Sequence, residues 1–282
     1  GHSTWKFRGV PQTGITHAKA PYCYRCPYSK TPENCSLECA NDVKEVIETT
    51  TSGKIAAMIV EPILGVGGFI DPPAEYHREI FKIVKNAGGL YISDEVQTGV
   101  GRTGKNFFAI ADSGVNPDII TMAKGIGNGA PVGAVITKEE HAESLKGKLH
   151  FNTFGGDPYQ AMQAAEVIDI IAEEELIKNA EIQGNYLREG FEELQKDFPI
   201  IGDIRGRGLL IGLELVKDQI TKEPASAETA ELMEKAKDQN LLIGKGGLYG
   251  NVVRLAPSLS IGKNECDELL TGMRKAFECI TK

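Results

Sequence analysis

Gly88–Gly104 reads GGLYISDEVQTGVGRTG. A double glycine opens it, the apolar run Leu90–Ile92 follows, and two adjacent carboxylates, Asp94 and Glu95, close it. An uninterrupted apolar run bounded by turn residues reads as a parallel strand buried on both faces, not as a half-solvated one. The acid pair then sits where open α/β sheets bind ligands, just beyond the carboxyl end of a strand.

Working outward, the same grammar repeats. NDVKEVIETTTSG (Asn41–Gly53) predicts a helix stopped by its glycine, and KIAAMIVEP (Lys54–Pro62) a short buried strand. AEYHREIFKIVKNAGG predicts a helix through Ile80, Phe81, Ile83 and Val84, and DIITMAKG and VGAVITKEE predict two more strands. Alternating strands and helices imply a mostly parallel sheet with helices on both faces. Two long helices follow, the second amphipathic through Ile177, Leu187 and Phe191. Beyond Pro199 come two strands around a Gly-Arg-Gly turn, a helix near 225–239, short strands at NLLIG and NVVRLAP, and a terminal helix from about Lys263. The expected organisation is a large α/β domain over 1–198 and a smaller α+β domain over 199–282.

Composition narrows the function. The chain has 282 residues, 41 % of them hydrophobic, enough for a sizeable core. Its net charge of −8 argues against nucleic acid or an anionic membrane as partner. No apolar run has the length of a membrane span and no signal-peptide pattern opens the chain, so the cytoplasm is the expected compartment. Cys23, Cys26, Cys35 and Cys39 are spaced C-x2-C-x8-C-x3-C. They could ligate zinc tetrahedrally, or be reduced thiols of a surface loop; the central gap is short for a zinc site, which favours thiols and no metal.

Three ionisable residues end three strands: Glu61, Asp94 and Lys124, the last in TMAKGIGNGAPVG. Glycines flank each, so backbone and ligand can approach closely. A lysine near apolar surface is a nucleophile toward carbonyls, and a carboxylate can keep a heterocyclic nitrogen protonated. Pyridoxal phosphate needs that pair. The alternative from spacing alone is that Lys124 is a solvated strand-end lysine.

The segments EPILGVGGFIDPP, LYISDEVQTGVGRTG, DIITMAKGIGNGAPVGAV, FNTFGGDP and VRLAP occur in an order that resembles the class III aminotransferases of the ω-amino-acid and alanine–glyoxylate type. The cysteine-rich PYCYRCPYSKTPENCSLEC resembles a segment of some members. The resemblance covers nearly the whole chain and implies fold type I. It further implies that Lys124 carries pyridoxal phosphate covalently and then moves a proton between carbon atoms. Asp94 would pair with the ring nitrogen, Val96 lie on a ring face, and Gln97 approach the ring hydroxyl. Thr153 would reach the phosphate of the other subunit of a homodimer with shared sites. Arg254 would receive a substrate carboxylate, for which a guanidinium is suited; Glu61 would support the site, and Arg102 and Arg205 would be structural.

Two departures from the family pattern stand out. The phosphate-binding Gly/Ser loop and the aromatic-His-Gly motif are not found in this sequence, so the large domain is expected to be incomplete at its N-terminus. Val66 stands where several relatives that use 2-oxoglutarate carry glutamate, which leans toward a small 2-oxo acid acceptor such as pyruvate or glyoxylate. The implied reaction moves an amino group from an amine or amino acid to that acceptor. A catalytically silent folded remnant and a cofactor-dependent decarboxylase or isomerase are the alternatives.

Overall fold

The computed structural model describes residues 13–281; the first segment of the chain, GHSTWKFRGV, lies outside the described residues. In chain order the elements are α1 (Glu38–Thr50), β1 (Ala57–Val60), α2 (Ala74–Asn86), β2 (Leu90–Asp94), β3 (Ile119–Met122), β4 (Ala134–Thr137), α3 (Glu139–Ala142), α4 (Pro158–Glu173) and α5 (Leu176–Asp197). They continue with β5 (Ile201–Arg207), β6 (Leu210–Leu215), α6 (Ser226–Lys237), β7 (Gly244–Gly246), β8 (Val252–Leu255) and α7 (Lys263–Ile280).

The first sheet has the order β1-β2-β3-β4. β1, β2 and β3 are parallel, in register through Ile59↔Ile92 and Ile92↔Ile119, whereas β4 runs antiparallel to β3. The β3–β4 connection, residues 123–133, is too short for a helical crossover, so the chain turns straight back.

One face of this sheet is packed. Val60 and Tyr91 join Tyr76, Ile80 and Val84 of α2 and Ala40, Val43 and Ile47 of α1 in a buried cluster. The other face is different. Ile59 is 60 % exposed and Val135 68 %, and none of Ala57, Ile59, Leu90, Ile92, Ile119 and Val135 joins a buried cluster among the described residues. Helices on both faces were expected; among the described residues they cover one. The reason is topological. β1→β2 and β2→β3 step across the sheet in the same direction, and right-handed crossovers stepping the same way fall on the same side.

The second sheet, β5-β6-β8-β7, is wholly antiparallel. Leu213 and Val253 of its strands pack with Leu187, Phe191 and Leu194 of α5 and with Leu232 and Phe277 of α6 and α7. Phe198 stacks on Phe277 with centroids 5.4 Å apart. The packed unit around this sheet thus includes α5, upstream of residue 199. The strand expected at NLLIG forms later, at Gly244–Gly246. Gly244 pairs with Arg254, and a Cβ on Gly246 would lie 2.4 Å from Arg254 Cδ, so the glycines take the strand position that the arginine stem overlies.

A buried polar cluster fastens the chain's early segment to this sheet. Glu214, fully buried, accepts hydrogen bonds from Tyr22 Oη, Arg25 Nε and, at 2.7 Å, Arg205 Nη1. Arg205 also donates to Asp203 at 2.7 Å and to the Gly68 carbonyl at 2.8 Å. Burial alone would push the Glu214 carboxyl up; Arg205, Tyr22 and Arg25 outweigh it and hold it below the ordinary range. Arg205 is therefore structural, as expected. Among the described residues the six cysteines are free and no group of three or more His, Cys, Asp or Glu side chains is placed to hold a metal.

Candidate active site

Parallel pairing with Val60 opposite Ser93 and Asp94 opposite Thr121 brings the carboxyl ends of β1, β2 and β3 to one edge. Glu61, Asp94 and Lys124 lie there together. Glu61 accepts the Gly65 N–H at 2.8 Å and so closes the turn after β1. Burial raises its carboxyl above the ordinary range and Asp94 adds to the rise, while the Gly65 N–H and Lys124 oppose it.

The two acids of the opening motif divide their work. Glu95, 1 % exposed, accepts the N–H groups of Ala109 and Ile110 at 3.1 and 2.8 Å and the Thr98 hydroxyl. It anchors the long loop after β2 from inside. Asp94 is half-buried, and among the described residues its side chain accepts a single hydrogen bond, from the Val96 N–H at 3.1 Å. The sequence singled out Asp94 for chemistry and made Glu95 a supporting neighbour; Glu95 supports by holding the loop.

Lys124 follows an extended Ala123 and opens a 3-10 turn, Lys124–Ile126. Its φ is +53°, in the left-handed region, where a side chain costs about 1 kcal/mol or more relative to glycine. The turn is closed by Gly127 N–H on the Lys124 carbonyl at 3.0 Å. Lys124 itself is exposed.

These strand ends border a cavity of about 380 Å³, whose wall includes Lys124, Val96, Gln97, Phe69, Asn128 and Arg254. That size falls within the range of small-molecule sites. Arg254 projects from β8 of the second sheet, so the cavity lies between the two sheets. Its Nη2 donates to Gln97 Oε1 at 2.8 Å, its guanidinium stands 4.6 Å over the Phe69 ring, and its Nε is buried with no hydrogen-bond partner among the described residues. Burial lowers the Arg254 pKa and Glu61 opposes that. Gly65 leaves room for Gln97: a Cβ there would fall 2.5 Å from its side chain.

Arg102 also lines the cavity, yet its Nη1 donates to the carbonyls of Leu209 and Pro257, which makes it structural, as expected. Thr153 is exposed and does not line this cavity in its own chain. Phe69, Asn128, Ser258 and Ser260 line it without having been singled out in the sequence. For Phe69 a signal existed, an aromatic directly after Gly67-Gly68; the polar three carry none.

The donor set suits a ring carrying an aldehyde and a basic nitrogen: an exposed amine at Lys124, a carboxylate with spare acceptor capacity at Asp94, and an arginine whose buried Nε has no partner among the described residues. The chain matches the Aminotransferase class-III family over residues 4–277. It is 44 % identical over 273 residues to alanine–glyoxylate aminotransferase 2 homolog 2, mitochondrial, of Arabidopsis thaliana, covering 97 % of this chain and 56 % of that protein. It is 40 % identical over 258 residues to a leucine/methionine racemase of Thermococcus litoralis, covering 91 % of this chain and 58 % of that protein. A Bacillus anthracis aminotransferase structure superposes with a TM-score of 0.89 at 36 % identity, covering 98 % of this chain and 63 % of that one. The chain thus spans somewhat over half the length of the curated relatives it matches.

Proposed function

The chain belongs to the class III aminotransferases, fold-type I enzymes that depend on pyridoxal phosphate, and from that premise we propose that it serves transamination from an amine or amino acid to a small 2-oxo acid. The observation that carries the reading is the meeting of Lys124, Gln97 and Arg254 around one cavity at the carboxyl ends of parallel strands; Asp94 ends β2 at the same edge but is not part of the cavity wall.

When bound, the cofactor supplies an electron sink for the carbanion formed at the substrate carbon. The chain's residues do the rest. With the cofactor bound, Lys124 Nζ would be the amine that holds its aldehyde and, as a free amine, the general base that takes the proton from the substrate carbon and returns it. Asp94 would keep the ring nitrogen charged, and Val96 would contact the ring. Gln97 would offer its amide N–H to the ring hydroxyl, its oxygen accepting from Arg254 while no substrate is bound. Arg254 receives the substrate carboxylate. Glu61 shapes the turn that carries Gly65.

Thr153 is assigned to the partner's site in a homodimer. Its neighbours Phe151 and Phe154 are 81 % and 72 % exposed, and Tyr159 and Met162 71 % and 73 %, an apolar surface suited to a second copy. Free cysteines fit a reducing compartment such as the cytoplasm.

The test is to add pyridoxal phosphate to the chain, reduce with borohydride, and locate the labelled peptide. Label at Lys124, with amine consumed only when pyruvate or glyoxylate is present, supports the proposal; label elsewhere rejects the role of Lys124. Label at Lys124 without turnover identifies a silent chain. The racemase relative favours one second reading, isomerisation of an amino acid. Inverted product formed with no 2-oxo acid added would establish it.

A further inference from the structure

We propose that Gln97 is a displaceable occupant of the carboxylate subsite on Arg254, and that it thereby sets the specificity of that subsite. The inference rests on the reading of Arg254 as the carboxylate receiver and adds the residue that competes for it.

Nε and Nη2 form one edge of a guanidinium, the edge that grips a carboxylate through two parallel hydrogen bonds. In Arg254 that edge is half used. Nη2 donates to Gln97 Oε1 at 2.8 Å; Nε is buried and has no partner among the described residues. A carboxylate would satisfy both donors, but only where Gln97 Oε1 now stands. Binding is therefore an exchange: one neutral hydrogen bond is given up and two charge-assisted ones form. A substrate without a carboxylate gains nothing from the exchange and leaves Gln97 in place.

The surroundings hold the contest at this spot. Arg254 has little freedom to turn away. Its stem lies across Gly246, where a Cβ would come within 2.4 Å of Cδ, and its head lies over Phe69. Gln97 has no such restraint: it lies over Gly65, whose missing Cβ leaves its side chain room and whose own N–H is tied to Glu61. The mobile partner is thus the uncharged amide, which costs little to displace because it carries no charge.

Glutamine also leaves the arginine positive. A carboxylate at position 97 would neutralise it and close the subsite, whereas a side chain with no acceptor would leave it open. The two substitutions should move affinity in opposite directions, which a merely structural role for Gln97 would not produce.

The experiment is a titration of the 282-residue chain with sodium pyruvate, matched in ionic strength with sodium chloride, and with methyl pyruvate as uncharged control. The Gln97 side-chain amide signals should move with pyruvate and saturate, and stay still with methyl pyruvate. Gln97→Glu should weaken pyruvate binding by at least about tenfold, and Gln97→Leu tighten it by about fivefold. Still amide signals at saturating pyruvate, or both variants within twofold of the parent, overturn the proposal. Arg254→Leu separates this from the broader reading. If it binds pyruvate as the parent does, the role of Arg254 fails; if it loses binding while both Gln97 variants match the parent, only the present inference fails. Should a variant not fold, the amide signals of the unsubstituted chain decide.

Discussion

Replacing Arg205 by leucine is the sharpest test of how the site is held. Arg205 is 9 % exposed and spans two parts of the chain: Glu214 and Asp203 in the second sheet, and the Gly68 carbonyl in the glycine turn beside the cavity. Removing one member of a buried ion pair leaves the other charged and desolvated, at a cost of about 3–5 kcal/mol. Glu214 would keep Arg25, Tyr22 and Asn251, so we place the loss at the low end, roughly 3 kcal/mol. For a chain of this size that lowers Tm by about 6–12 °C. Circular dichroism melts of parent and variant measure it, with Lys217→Ala as control. The Lys217–Glu223 pair is exposed, at 47 % and 60 %, so the control should melt with the parent. A fall of less than about 2 °C for Arg205→Leu would refute the claim that this cluster clamps the sheet to the turn.

Acid should act on the same cluster. The folded-state Glu214 carboxyl titrates below its ordinary range, so its stabilisation is present above that range and is lost as pH falls through the lowered value. Melts from neutral to acid pH should show Glu214→Gln flatter than the parent on the acid side. Gly246→Ala places a Cβ against Arg254 Cδ and should raise KM for the 2-oxo acid about fivefold while changing kcat little; an unchanged KM contradicts the placement of the arginine stem. Phe277→Ala removes the partner of Phe198 from the core and should cost about 3–5 kcal/mol in urea unfolding, with no change in borohydride labelling of folded protein.

What could be read in the sequence was what local pattern encodes. Apolar runs ending at Glu61, Asp94 and Lys124 announced three strands and the edge where their side chains meet, and the strands form there. Contacts between distant residues carry no such periodic signal. The bonds from Tyr22 and Arg25 to Glu214 join residues about two hundred positions apart, and nothing near either end foretells them. The Gln97–Arg254 bond is of the same kind. The reversal of β4 escaped notice because a short apolar strand looks alike in either direction; only the connection before it, too brief for a helix, held the clue.

The left-handed turn at residue 124 has a consequence for anyone seeking a hardier variant. A glycine there would relax the backbone, and a screen that rewards heat resistance alone would drift toward it, discarding the amine along the way. Durability and chemistry pull against each other at this one residue, so a library built for ruggedness should leave it fixed.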